Sequence, residues 1–294
     1  MDHTSGNVHD YYVLMKPRVM SLVIFTSLVG LILSPVSMHP FLAIISITCI
    51  AIGAGASGVL NMWYDADIDS IMNRTIRRPI PSGSIAKSEA LTYGLVMSFG
   101  SVFVMGVLIN WISAIFLAFT IFFYVVVYTI WLKRRTTQNI VIGGAAGAFP
   151  PIIGWLSTSA PLSIEPILLF FIIFFWTPSH FWALSLYKSD DYKKANIPML
   201  PLISGTDKTK KNIFVYSLLM LIPVLSMYYI EMVTLYYFIL SSVLTSYYIY
   251  LCYNLNEVKN QKKSNLLAKK IFTYSIMYLF FLFLFLLIDN IYQI

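Results

Sequence analysis

Phe41-Leu-Ala-Ile-Ile-Ser-Ile-Thr-Cys-Ile-Ala-Ile-Gly-Ala-Gly-Ala-Ser-Gly-Val-Leu60 runs without a charge and then gives way to Asn61-Met-Trp-Tyr-Asp65-Ala-Asp67-Ile-Asp69. At 1.5 Å per residue, a helix over the first part is about 30 Å long, the thickness of a bilayer's hydrocarbon core. The second part places three acids directly at the end of that helix. A membrane span feeding a polar cluster is therefore the unit from which the rest of the chain is read. Eight more apolar runs have the same character, at Val19–Pro35, Ala90–Asn110, Ile112–Leu132, Ile140–Thr158, Leu162–Leu186, Ile213–Ile230, Val233–Cys252 and Ile271–Ile288. Composition agrees: 58% of the 294 residues are hydrophobic and 11% are charged, less than half the charged share of a soluble domain. The expectation is an all-α, polytopic membrane protein of nine transmembrane helices around a central cavity, forming one membrane-embedded domain over residues 1–294.

Net charge is +7, and the position of the charges explains it. With nine spans, all 20 Lys and Arg residues fall on one side of the membrane, and the other side carries only Glu165, Glu231 and Asp289. The positive-inside rule then puts the N-terminus in the cytoplasm and the C-terminus outside. The basic loops read as topology determinants, so nucleic acid is not an expected partner. Cys49 and Cys252 both lie within spans and read as small core residues without a disulfide. The first apolar run lacks a small-residue cleavage site, so it reads as a retained helix. The acids and absence of Arg in the first fifteen residues argue against a mitochondrial presequence.

Two long cytoplasmic connections, about Asn61–Glu89 and Tyr187–Asn212, hold seven of the thirteen acids, Glu89 included. In the first, Asn61, Asp65 and Asp69 are four apart and line one face of a helix. Stacked carboxylates repel, and a hard divalent cation such as Mg²⁺, which favours a few carboxylates plus phosphate oxygens, offsets that cost. Asn73-Arg74-Thr75-Ile76-Arg77-Arg78-Pro79 follows, a compact set of guanidinium donors suited to phosphate. Together they suggest a metal-bridged phosphate site. The second loop opens Tyr187-Lys188-Ser189-Asp190-Asp191, with Tyr187 and Asp191 repeating the spacing of four. Pro79-Ile-Pro-Ser-Gly83 is echoed by Pro201-Leu-Ile-Ser-Gly205. Two related halves are the expectation, about residues 11–135 and 139–252, with their acidic helix ends facing each other. His180 sits near the cytoplasmic end of the sixth span, where an ionisable residue is either functional or hydrogen-bonded between helices. Gly143-Gly-Ala-Ala-Gly147 gives the fifth span a thin face for close helix packing or for a flat ligand. His39 reads as interfacial.

The stretch Asn61–Gly83 resembles the first aspartate motif of the intramembrane aromatic prenyltransferases, specifically their haem-farnesylating branch. Met15-Lys-Pro-Arg-Val19, Tyr128–Gly144, Gly147–Trp155 and Thr177–Gly205 resemble the same branch. Thr177-Pro-Ser-His-Phe-Trp182 and Ile197-Pro-Met-Leu-Pro201 narrow the likeness to it. This chain departs from the pattern with Ser179 where Pro precedes the His, and with Asn196 where Gly is usual; Asn tolerates a left-handed backbone, so a turn can survive there. Asp191 is followed four residues later by Ala195, so the second motif is not a full acidic pair.

The resemblance implies transfer of a farnesyl group from farnesyl diphosphate to a vinyl group of haem B, with water addition, giving haem O and diphosphate. It implies Mg²⁺ on Asn61, Asp65, Asp69 and Asp191, and diphosphate on Arg74, Arg78, Lys133 and Lys188. Tyr187 and His180 would steady the farnesyl cation, handle a proton or contact the haem. The missing presequence and the charge asymmetry lead to an expected place in the cell membrane with the site towards the cytoplasm, and the resemblance implies haem A synthase or the terminal oxidase assembly as partners. A prenyltransferase acting on a hydroxybenzoate or naphthoate would share the diphosphate half of the site and differ in its acceptor pocket. A transporter or channel would instead need acids or bases deep in the spans, and these spans have none at mid-depth. A haem-binding protein without turnover gives no reason for the Asp and Arg residues.

Overall fold

The computed structural model describes residues 6–293; Ile294 and the first five residues of the acidic N-terminal stretch lie outside it. No strand occurs among the described residues. In chain order the helices are α1 (Val8–Leu14), α2 (Pro17–Ile32), α3 (Pro40–Tyr64), α4 (Ala66–Asp69), α5 (Lys87–Leu108), and α6 (Trp111–Phe122), which continues as a π-helix over Phe123–Leu132. Then come α7 (Asn139–Ala148), α8 (Pro150–Ser157), α9 (Ile164–Tyr187), α10 (Ser189–Lys194), α11 (Leu200–Ser204), α12 (Thr206–Leu219), α13 (Leu221–Tyr229), α14 (Leu235–Glu257) and α15 (Gln261–Gln293).

Among the described residues, eight helical stretches are long and apolar enough to cross a membrane. Seven lie where the hydropathy expects a span, and α15 extends the ninth expected run well beyond its basic end. The first expected span differs. It is the sixteen-residue α2, joined to α1 by a 57° bend, and the pair makes a ninth crossing only if counted as one. The bend has a local cause: Lys16 adopts the left-handed region (φ 56°, ψ 56°) and Pro17 opens α2, so a straight helix cannot run through. Pro150 likewise separates α7 from α8, each too short to cross alone. The seventh span begins earlier than expected, at Thr206, so Lys208, Lys210 and Lys211 lie in its first turns.

Small residues bring backbones together. A Cβ on Gly30 would lie 2.1 Å from the Pro151 carbonyl oxygen, and one on Gly154 would lie 2.0 Å from that of Ser27, so α2 and α8 touch main chain to main chain. In the thin face of α7, Gly143 accommodates the Tyr128 ring and Gly144 the Thr177 side chain, while Gly147 has open space beside it. One apolar core lies among α3, α5 and α6 around Cys49, Met105 and Leu117; a larger one joins α9 to α12–α15 around Trp182, Tyr248 and Phe283. Both cysteines are buried and unbonded. At the end away from the basic loops, Asp289 accepts the Thr234 amide at 2.9 Å and the Thr234 hydroxyl, capping α14.

Candidate active site

The helical hydrogen bonds of α3 do not stop at its last residue. The Asp65 amide donates to the Asn61 carbonyl at 2.9 Å, and the Asp69 amide to that of Asp65 at 2.8 Å. Asn61, Asp65 and Asp69 therefore share one face, as their spacing predicts, and all three are buried. Each meets a partner brought by another part of the chain. Lys133 forms an ion pair with Asp65 Oδ2, Arg134 Nη2 lies 3.5 Å from Asp65 Oδ1, and Arg78 Nη1 donates to Asp69 Oδ2 at 2.6 Å. Lys16 Nζ donates to Asn61 Oδ1 at 2.5 Å, while Asn61 Nδ2 donates to Asp65 Oδ2 and to Thr129 Oγ1.

Two of these contacts need unusual backbone. Lys16 reaches the cluster because the left-handed break turns it inward and because Gly55 and Gly58 of α3 leave room: a Cβ on Gly55 would sit 2.5 Å from Met15 Cε. Thr129 and Lys133 come from the π-helix, where the Lys133 amide bonds the Tyr128 carbonyl five residues back. That wider turn aligns residues 124, 129 and 133, a set that a straight α-helix would splay. The Thr129 hydroxyl in turn donates to the Tyr124 carbonyl at 2.8 Å.

Outside this cluster, Arg134 clamps Asp67 with two hydrogen bonds of 2.7 Å and lies 4.9 Å over the Tyr64 ring. The guanidinium holds the Asp67 carboxyl below the usual carboxylate range. Asp65 Oδ1 is buried without a hydrogen bond. One orphaned carboxylate oxygen, a second carboxylate and an amide oxygen are the hard donors that Mg²⁺ takes alongside phosphate oxygens. They fit such an ion as a partial set: among the described residues, no three His, Cys, Asp or Glu side chains come together as a metal cage. No ready-made cage therefore unites Asp191 with Asp65 and Asp69 among the described residues.

The second loop differs in detail. Lys188 turns out of the helix (φ −117°, ψ 24°) between Tyr187 and α10, so Tyr187 and Asp191 do not share a continuous helical face. Lys188 is exposed, and Asp191 forms no ion pair among the described residues. The two loops nonetheless adjoin. Burial raises the Tyr192 phenol of α10, and the Arg74 and Arg78 charges of the first loop oppose that rise. Arg74 itself is exposed and forms no ion pair among the described residues.

His180 lies deeper. Its ring is stacked between Trp176 and Phe272, with centroids 4.3 Å and 4.6 Å away, and its Nδ1 shares a 2.6 Å hydrogen bond with Ser275 Oγ. Phe272 continues the column to Tyr187, edge-on at 6.1 Å. Ser179, standing where the pattern has Pro, bonds the Tyr248 hydroxyl at 2.8 Å. Asn196 has φ 52°, the left-handed turn that its side chain tolerates.

Three contributors escape the reading of the sequence. Lys16 and Arg134 appear there as topology charges; the Lys-Pro break and the Lys-Arg-Arg run are the signals that could have raised them. Thr129 carries no sequence signal, since its place depends on the π register.

Similarity to known proteins agrees with this geometry. The sequence profile of the UbiA prenyltransferase family matches residues 23–288. The chain is 57% identical to the protoheme IX farnesyltransferase of Pelagibacter ubique, over 97% of this chain and 94% of that protein. It is 54% identical to that of Bartonella quintana, over 97% and 91%. The fold superposes on a solved digeranylgeranylglyceryl phosphate synthase with a TM-score of 0.80 at 17% identity, covering 97% of this chain and 98% of that one. It also superposes on an Archaeoglobus fulgidus UbiA homolog bound to DMAPP and Mg²⁺, with a TM-score of 0.65 at 17% identity, covering 92% and 99%. The chain belongs to the UbiA prenyltransferase family and, within it, to the protoheme IX farnesyltransferases.

Proposed function

We propose that this chain transfers the farnesyl group of farnesyl diphosphate to a vinyl group of haem B, adding water to give haem O and releasing diphosphate. The observation that carries this reading is identity above one-half over nearly the full chain to protoheme IX farnesyltransferases, on a chain whose buried Asp65 and Asp69 each meet a cation. In this reading Asn61, Asp65 and Asp69, with Asp191 from the second loop, would hold Mg²⁺, which when bound would supply positive charge where the C–O bond to diphosphate breaks. Arg78, Lys133, Arg74 and Lys188 take the diphosphate oxygens, and Lys16 and Arg134 join them.

Ionisation leaves an allylic farnesyl cation, and the vinyl π electrons form the new C–C bond to its terminal carbon. Water then adds to the resulting haem-side cation and loses a proton, which completes the hydroxyl. The apolar walls of the bundle protect the first cation from early hydrolysis. Tyr187 and the His180 column stand on the acceptor side. The positive-inside asymmetry supports a cytoplasmic N-terminus and a site facing the cytoplasm of a cell-membrane protein. Two related halves, about 11–135 and 139–252, are part of the same proposal. Their echoing glycines support it: Gly83 has φ 79° and Gly205 φ 82°, and each precedes a long helix.

The test is turnover in nanodiscs with haem B, farnesyl diphosphate and Mg²⁺, read by mass spectrometry. Haem O is expected from the wild type, and none after EDTA or in Asp65→Ala. Prenylation of a hydroxybenzoate or naphthoate with none of haem would keep the diphosphate site and overturn the acceptor. No product with any acceptor, in protein shown to be folded, would overturn both.

A further inference from the structure

The basic end of the last two long helices takes no part in the site described above, yet it is built more specifically than topology demands. Residues 206–212 and 253–270 hold eight lysines, two acids and no arginine. On α15, Lys262, Leu266, Lys269, Lys270, Thr273 and Met277 recur at helical spacing along one exposed face. Five of them, all but Lys262, line a groove of about 420 Å³ together with Tyr274. Its chemistry is graded along the helix. Lys270 Nζ lies 5.9 Å over the Tyr247 ring of α14, which fixes the ammonium at the groove's edge. Below it, Met277 is 52% exposed and offers an apolar floor.

The level of this groove in a bilayer follows from the sequence. The uncharged run Ile271–Ile288 is about 27 Å long as a helix, close to one hydrocarbon thickness, and is bounded by Lys270 and Asp289. Lys269 and Lys270 therefore stand at the depth of lipid phosphates, with Met277 among the acyl chains. Lysine ammonium groups are compact point charges suited to a phosphodiester.

We propose that the shallow groove along this face of α15 is a binding site for one anionic glycerophospholipid. Its phosphate lies between Lys269 and Lys270, and one acyl chain lies along Tyr274 and Met277. This site is separate from the prenyl-transfer reading, and neither depends on the other.

Native mass spectrometry of the full chain in detergent, titrated with phosphatidylglycerol and with phosphatidylcholine, tests it. Wild type is expected to retain phosphatidylglycerol preferentially. Replacing Lys269→Gln and Lys270→Gln together should remove the preference, at about five-fold for each lysine lost. Lys262→Gln with Lys263→Gln removes the same charge from outside the groove and should leave the preference within about two-fold, a change too small for a lost lysine contact. Equal losses in both double variants would reduce the effect to diffuse charge and overturn the site, as would a wild type without preference. A thermal melt in detergent, expected unchanged in both variants, separates lost lipid from lost fold; a variant that melts early is replaced by Met277→Asp, which places a like charge on the acyl floor and should also abolish the preference.

Discussion

The ends of α3 and α9 begin from the same spacing of polar residues and part company within one turn. Past α3 the helical hydrogen bonds continue into α4, and Asp65, Asp67 and Asp69 each meet a cation. Past α9 the chain turns out at Lys188, Asp191 has no ion pair among the described residues, and the polar groups are ring faces and hydroxyls instead. A buried carboxylate needs partners, and Asp65 and Asp69 find theirs in cations, which makes the first region a charge-matched lattice. The second region buries His180 and Ser179 with hydroxyl partners in Ser275 and Tyr248 instead of counter-charges. The difference teaches that the two ends are not interchangeable: one is built of paired charges, the other of stacked rings and hydroxyls.

Removing a carboxylate from the first region breaks the comparison most severely. Asp65→Ala leaves the part-buried Lys133 without its carboxylate, while Arg134 keeps Asp67. Turnover is expected to fall about 10³-fold, with an earlier melt from the unpaired lysine. A variant with more than a tenth of wild-type activity would mean that the lattice is not where charge develops. Next in size is Arg78→Ala, expected to lower kcat about 10²-fold with little change in haem affinity, measured by steady-state kinetics in both substrates. Lys16→Met should act on the same half, raising KM for farnesyl diphosphate about ten-fold, the cost of one charged hydrogen bond.

His180→Ala sharpens the comparison from the other side. Binding of a non-hydrolysable farnesyl diphosphate analogue should stay within about two-fold of wild type, while haem-dependent turnover falls about ten-fold or more through loss of the stacked column. Loss of analogue binding would merge the two regions into one.

The smallest effect belongs to Asp67, whose side chain is 59% exposed. Asp67→Asn is expected to cost under about 1 kcal/mol in a chemical melt. The sign of its pH dependence follows from its lowered carboxyl, held by Arg134. Its stabilisation is present above the unfolded carboxyl's ordinary value and fades as pH falls through the lowered one, so the variant and wild type should converge in acid.

The sequence by itself determined the helical membrane class, the face shared by Asn61, Asp65 and Asp69, and the meeting of acids with Arg in one loop. Hydropathy and helical periodicity are local, so a single chain displays them. Tertiary structure alone decided which cations meet those acids, since Lys16 joins Asn61 across 45 positions and Lys133 joins Asp65 across 68. It also seated His180 against Ser275, 95 positions away. The π register that delivers Thr129, and the turn at Lys188 that separates Asp191 from Tyr187, depend on what the neighbouring helices leave room for. The spacing of residues along one helix cannot encode that room.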